Sequence, residues 1–270
     1  MLKTSRFLVS CFAAATAVLL AASPAAAQRE PYGGFPRAPS PSTSTKNQAG
    51  QFDYYLLALS WSPSYCASLN RDGYDPQCHR RDGKRYAFVL HGLWPQYNRG
   101  WPQNCATADR GFVPRPVAQR MLDIMPSEKL VFHEYRKHGV CSGLTVDGYF
   151  DLSRKLYDKV KIPQKYQQVS DPRLFVDSDD LVKDFLAANP AMKPDSIVVE
   201  CGGPGPRLKE VRVCFDKAGE FSSCGRNEDQ KRLCSAPRMF VPPVRDGAAT
   251  PASPGFKPQT PLLLPGDRKI

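Results

Sequence analysis

The stretch Phe132 to Cys141, FHEYRKHGVC, puts two of the chain's four histidines, a glutamate and a lysine within six consecutive positions. Ser127 ahead of it suits a helix N-cap, and Gly139 suits the left-handed residue that closes a helix. The spacing therefore predicts a helix from Glu128 to about His138. At about 100° per residue, His133, Glu134, Lys137 and His138 span an arc of roughly 140°. One broad face carries all four polar groups, and Leu130, Val131 and Tyr135 are left to pack elsewhere.

A third histidine, His91, sits in LHGLWPQ (Leu90 to Gln96). Tyr86 to His91, YAFVLH, has the length and apolar content of a strand, and Gly92 and Pro95 are expected to break it. His91 is thus expected at a strand end, aimed into a cleft. Trp94, three residues on, has two readings. Its face can stack on a nucleic-acid base, worth about 1–3 kcal/mol, or it can pack under the turn.

Outward from these motifs, Asp53 to Ser62 (DYYLLALSWS) reads as a strand ended by Pro63. Tyr65 to Arg85 reads as a loop. Its basic cluster, His79 to Arg85, is expected to be solvated, with RNA-backbone contact as the alternative. Residues 97–116 read as a long loop and Pro116 to Met125 as a short helix. Asp147 to Val160 and Asp180 to Ala188 carry apolar residues at helical spacing and are expected to be scaffold. Ser196 to Cys201 and Leu208 to Phe215 read as strands, the second alternating like a half-exposed one. Without a regular βαβ rhythm, the expected class is α+β, a central antiparallel sheet with flanking helices.

The chain has 270 residues. Lys3 and Arg6, the apolar run Phe7 to Ala22 and Ala25-Ala26-Ala27 form the three parts of a secretory signal peptide over residues 1–27. The lipoprotein-like Leu8 to Cys11 is set aside because most of the apolar run follows the cysteine. No later run reaches the ~18 apolar residues of a membrane span. Residues 28–50 and 241–270 are rich in proline and small polar residues, and both are expected to be disordered arms. Residues 51–240 remain as one folded domain. Nine cysteines become eight without Cys11, and an even count in an exported chain reads as four disulfides whose pairing arithmetic leaves open. The expected compartment is the periplasm or the medium. The net charge of +11 becomes +9 without Lys3 and Arg6. Such a domain is drawn to polyanions, and charge alone does not choose among nucleic acid, anionic lipid and acidic glycans.

The motifs narrow this. A zinc protease needs histidines at i and i+4; His133 and His138 stand at i and i+5, with Lys137 beside them. Acid–base chemistry suits the set better. Two imidazoles from separate elements can flank a phosphodiester, one neutral and one protonated. Lys137 can then offset charge on a developing phosphorane. In RNA the neighbouring 2′-hydroxyl is a built-in nucleophile, so no metal and no cofactor is expected. A secreted RNA-binding protein without turnover is the rival reading.

LHGLWPQ and FHEYRKHGVC resemble the two active-site segments of the ribonuclease T2 family, the acid, transferase-type endoribonucleases. The resemblance extends to LLALSWSPSYC (Leu56 to Cys66) and to the pattern Cys201, LKEVRVC, Cys224, Cys234, covering nearly all of 52–234. It implies His138 as general base, His91 as general acid, His133 on the phosphate, and Glu134 and Lys137 stabilising the pentacovalent state. The implied product is a 2′,3′-cyclic phosphate, opened later by water. It also implies the bridges Cys66–Cys78, Cys105–Cys141, Cys201–Cys234 and Cys214–Cys224. Tyr135 stands where the family usually has tryptophan, and Val140 where threonine is common. Gln96 stands at a position beside the base pocket, so Trp94 and Gln96 are the candidate base-binding pair. The expected partner is RNA cut with low base specificity, DNA is expected to be spared, and the protein is expected to act as a monomer.

Overall fold

The strand Tyr54–Trp61 (β1) is apolar at every position but Ser60, as suits a strand covered on both faces. In the computed structural model, which describes residues 47–69, 74–80, 85–108 and 110–244, β1 lies between two antiparallel neighbours. One is Phe88–Gln96 (β2) and the other is Arg207–Phe215 (β5). Ile197–Gly202 (β4) pairs antiparallel with β5, and two short strands, Phe175–Val176 (β3) and Met239–Phe240 (β6), extend the sheet. The single parallel contact joins β5 to β6. The class is α+β with a central, almost wholly antiparallel sheet, as expected.

One sheet face carries Leu57, Leu59, Trp61, Leu90, Val211 and Val213 into the main core. There they meet Phe150 and Leu156 of the helix Val146–Lys159 (α4) and Phe185 of Ser178–Ala188 (α5). Each such side chain contributes about 1.5–3 kcal/mol on burial. Thr145 caps α4 by accepting from the Gly148 amide, and Asp177 caps α5 through the Asp179 amide. The opposite face holds a small cluster of Tyr54, Leu56, Ala58 and Cys214, with Trp94 against it. This second face bears the candidate site.

Several expectations need correction. The strand before His91 does not stop there: β2 runs through Gly92 and Pro95 to Gln96. It is an edge strand, where a proline without an N–H breaks no ladder. His91 is therefore inside β2, not at its end. Ala58 pairs with Gly92 and Leu59 with Leu90, which makes His91 the unpaired extra residue of a β-bulge. The expected loop from Tyr65 begins as a helix, Ser62–Ser68 (α1), because Pro63 suits a first helical turn as well as a strand end. The helix expected over Pro116 to Met125 is only Arg115–Gln119 (α2).

Glu128–Lys137 (α3) forms where expected, entered from Ser127 in extended conformation, although the Ser127 side chain makes no capping bond. Gly139 does not take the left-handed conformation. It starts a 3₁₀ turn to Ser142, and Gly143 at φ 76° ends it. Gly139 is instead a close-approach residue, since a Cβ there would press on the rings of Tyr135 and Tyr149.

The four bridges are Cys66–Cys78, Cys105–Cys141, Cys201–Cys234 and Cys214–Cys224, the pairing the resemblance implied. The fold also runs past both expected borders. Gly50 donates its amide to the Cys141 carbonyl at 2.9 Å, and Val244 donates to the Val169 carbonyl at 2.7 Å. Val241 is buried, and the Pro242 carbonyl accepts from Trp61 Nε1 at 3.0 Å. The expected signal peptide, the arm up to residue 46 and the tail from residue 245 lie outside the described residues. Among the described residues no helix is long and apolar enough to cross a membrane.

Candidate active site

The bulge in β2 turns His91 onto the second sheet face, where β5 answers it. His91 Nδ1 donates to Glu210 Oε1 at 2.6 Å. The same oxygen accepts from Ser60 Oγ at 2.9 Å, and Arg212 Nε donates to Glu210 Oε2 at 3.1 Å. Arg212 also holds Glu200 and Glu228, so one guanidinium ties three carboxylates beneath the site. With Nδ1 committed, His91 Nε2 faces Glu134 Oε1 at 3.6 Å.

α3 supplies the facing groups. Glu134 is 1 % exposed, and its Oε2 accepts from Trp94 Nε1 at 2.6 Å. His138 lies one turn on, 6 % exposed, at the residue that caps the helix. The Trp94 ring is the spacer. Its centroid lies 5.1 Å from that of His91 and 5.2 Å from that of His138. The two imidazoles are thus no farther apart than the sum of those distances. Arg212 stands over the same indole at 5.7 Å. Trp94 is thus held among the candidate site residues.

A cavity of about 350 Å³ brings together His91, His133, Glu134, Lys137, His138, Trp94 and Gln96. All five candidate catalytic residues and both candidate base-binding residues thus line one cavity. Gln96 is buried, and its Oε1 accepts from Asn227 Nδ2 at 3.3 Å. The bridge Cys105–Cys141, together with the bond from the Asn104 amide to the Lys137 carbonyl at 2.8 Å, fixes the end of α3 against the loop after β2. The fourth histidine, His79, lies apart, stacked on Tyr74 at 5.3 Å. Within the basic cluster beside it, residues 81–84 are not among those described.

The electrostatics separate the two imidazoles. Burial works against a charged His91, but the bond to Glu210 and the negative charges of Glu210 and Glu134 outweigh it, and its pKa is raised. Burial alone would raise Glu210, yet His91, Arg212 and Ser60 hold it down to about 2. His138 moves the other way. Burial, then the positive charge of Lys137, His91 and His133, pushes it down to about 3. Its Nδ1 is enclosed and finds no partner among the described residues. The two imidazoles are therefore shifted in opposite directions, His91 toward its charged form and His138 toward its neutral one. Burial raises Glu134, against the pull of His91, Trp94, His133 and Lys137.

Sequence reasoning missed Glu210, Arg212 and Trp101. LKEVRVC was expected to show its charged residues to solvent as a half-exposed strand. Glu210 is in fact buried, and with Arg212 it turns toward His91. The signal was present: opposite charges two residues apart in a strand share one face. Trp101, 52 % exposed, lines the 350 Å³ cavity.

A sheet-borne histidine and a helix-borne histidine, glutamate and lysine thus line one cavity. Comparison with known proteins gives the family. Residues 52–224 match the ribonuclease T2 family. A ribonuclease of Aeromonas hydrophila is 35 % identical over 219 residues, which is 76 % of this chain and 93 % of that one. A probable ribonuclease of Haemophilus influenzae is 28 % identical over 66 % of this chain and 63 % of its own length. The fold is similar to that of RNase NT in complex with 5′-AMP, with a TM-score of 0.53 at 24 % identity, over 72 % of this chain and 99 % of that one. The chain belongs to the ribonuclease T2 family. It is an endoribonuclease.

Proposed function

We propose that this endoribonuclease cuts RNA by transphosphorylation without a metal, and that it does so outside the cytoplasm. One observation carries the mechanism: two imidazoles with opposite protonation preferences flank the same indole on one cavity wall. Pairs of groups whose environments drive their pKa values apart mark an acid and a base. Neutral His138 takes the 2′-hydroxyl proton as the 2′-oxygen attacks phosphorus. Protonated His91 gives its proton to the departing 5′-oxygen, and the P–O5′ bond breaks. The product is a 2′,3′-cyclic phosphate, which water opens in a second step with the two roles exchanged.

His133 and Lys137 hold the non-bridging oxygens, and Lys137 with Glu134 stabilises the pentacovalent state. Glu210 acts through His91: it keeps the ring in the tautomer and orientation that turn Nε2 to the leaving oxygen. Trp94 and Gln96 border the base site, and exposed Trp101 adds an aromatic face for stacking. Stacking of that kind tolerates every base, in keeping with low base specificity. The signal-like N-terminus and four disulfides support export to the periplasm or medium. The enzyme works as a monomer.

The test is digestion of total RNA with and without EDTA, followed by analysis of the ends. Cyclic-phosphate 3′ ends, chelator resistance and no cleavage of a DNA of the same sequence are expected. Metal-dependent cutting, or DNA cut at a comparable rate, would refute the internal-nucleophile mechanism.

A further inference from the structure

β5 sets Arg212 two residues from Glu210, so both side chains leave the strand on the face that carries His91. We propose that Arg212 is a positioning residue for leaving-group protonation: it locks the carboxylate of Glu210, and Glu210 aims the proton of His91 Nε2 at the departing 5′-oxygen. This deepens the transphosphorylation reading and rests on it.

Each of the three guanidinium nitrogens holds a different carboxylate. Nε donates to Glu210 Oε2 at 3.1 Å, one terminal nitrogen donates to Glu228 Oε2 at 3.1 Å, and the other donates to Glu200 Oε2. The acids come from β5, from the loop after Cys224 and from β4, so the fork cannot turn without leaving one of them behind. Trp94 closes one face of the guanidinium, with its ring centroid 5.7 Å away. Glu210 in turn has both oxygens assigned, Oε2 to Arg212 and Oε1 to His91 Nδ1 and Ser60 Oγ. The plane of the carboxylate is thus fixed from its far side, and with it the plane of the imidazole. A lysine would bring a point charge here but no planar fork.

Charge gives the same side chain a second effect on the acid. Glu210 and Glu134 favour a protonated His91, and Arg212 opposes it. His138, beyond Trp94, is driven toward its neutral form. From the α1 side the Asp75 carboxylate borders the space beside His91, and it already accepts from Tyr65 Oη at 3.0 Å. Carboxylates gathered under one imidazole hold its proton firmly, and the cation among them offsets that hold. The Nε2–H bond can then break, with its electron pair left on the ring, as the O5′–H bond forms and the P–O5′ bond breaks.

The experiment uses two substrates that share the 2′-hydroxyl and differ in the leaving group. A dinucleoside monophosphate releases an alkoxide that needs a proton, whereas a nucleoside 3′-(para-nitrophenyl phosphate) releases a phenolate that does not. Arg212→Gln is expected to lose about 10²-fold in kcat on the first, the scale of a misplaced group, with KM little changed, and to stay near wild type on the second. Its alkaline limb on the dinucleoside substrate should move to higher pH, because the charge that opposed protonation of His91 is gone. Arg212→Lys keeps the charge without the fork, so it should show the same dependence on leaving group with the limb in place. Taking a cation from among buried carboxylates strains the fold, so circular dichroism and Tm accompany both variants, and Arg212→Lys carries the test if the glutamine variant is unfolded. Equal losses on the two substrates, wild-type kcat on the dinucleoside substrate, or an unmoved alkaline limb in folded Arg212→Gln would overturn the proposal. His91→Ala separates this from the reading beneath it: if that variant loses as much on the nitrophenyl ester as on the dinucleoside substrate, His91 is not the acid and the mechanism itself fails.

Discussion

Gly92 lies so close to Glu134 that a Cβ at this position would overlap Oε2 of the carboxylate and Nε1 of Trp94, which donates to it. The glycine in LHGLWPQ is thus neither a strand breaker nor a turn residue. It is the gap into which the buried carboxylate of α3 fits against the sheet.

Gly92→Ala is therefore expected to push Glu134 and Trp94 apart and to lose about 10²-fold in kcat/KM, the scale of a 1 Å misplacement at a site. Cleavage kinetics measure the loss, and circular dichroism verifies that the fold persists. An alanine variant with wild-type turnover would show that the Trp94–Glu134 hydrogen bond is dispensable.

His91→Ala and His138→Ala should each lower turnover by about 10²–10⁴-fold, the usual contribution of a positioned acid or base. Neither ring fills the main core, so thermal melts should still show a cooperative transition. Wild-type rates in either variant would remove that residue from the mechanism.

The pH profile follows from the two shifts. His138 must be neutral to accept a proton, so kcat/KM should fall only as pH drops toward about 3. His91 must be protonated to donate one, so activity should fall as pH rises through a value above the ordinary histidine pKa. Glu210→Gln removes the carboxylate that bonds the ring and favours its charge. The alkaline limb should then move to lower pH while the acid limb stays. A merely structural effect would lower the whole curve without moving that limb.

Replacing Cys105 and Cys141 together by serine opens a loop closed by a bridge with a sequence separation of 36. Urea denaturation should show a drop in stability of about 2–4 kcal/mol. Activity should fall more than in a Cys66–Cys78 double variant, whose bridge does not reach α3. Equal effects in the two would mean that the Cys105–Cys141 tie does not position α3.

Much of this molecule is legible in its sequence because local pattern and tertiary need agree. The apolar β1, the amphipathic α4 and the polar face of α3 each read correctly from spacing alone. The failures occur where pairing decides. Gly92 and Pro95 look like a stop, but an edge strand tolerates both. Gly139 looks like a left-handed cap, but its role is set by Tyr135 and Tyr149 pressed against it. Glu210 meets His91 across a separation of 119 residues, which no local pattern encodes. Asn47–Gly50 and Val241–Val244 look like arms by composition, yet their backbones bond to the domain.

His91 occupies a spare position in the β1–β2 ladder, between Leu90 and Gly92. Deleting it would let those neighbours close an uninterrupted ladder along β1 and leave the β-framework whole. Scaffold and reactivity are thus separable by a single codon. If His91 is the proton donor proposed above, excising it yields a disarmed version of the protein with its remaining cavity surfaces in place.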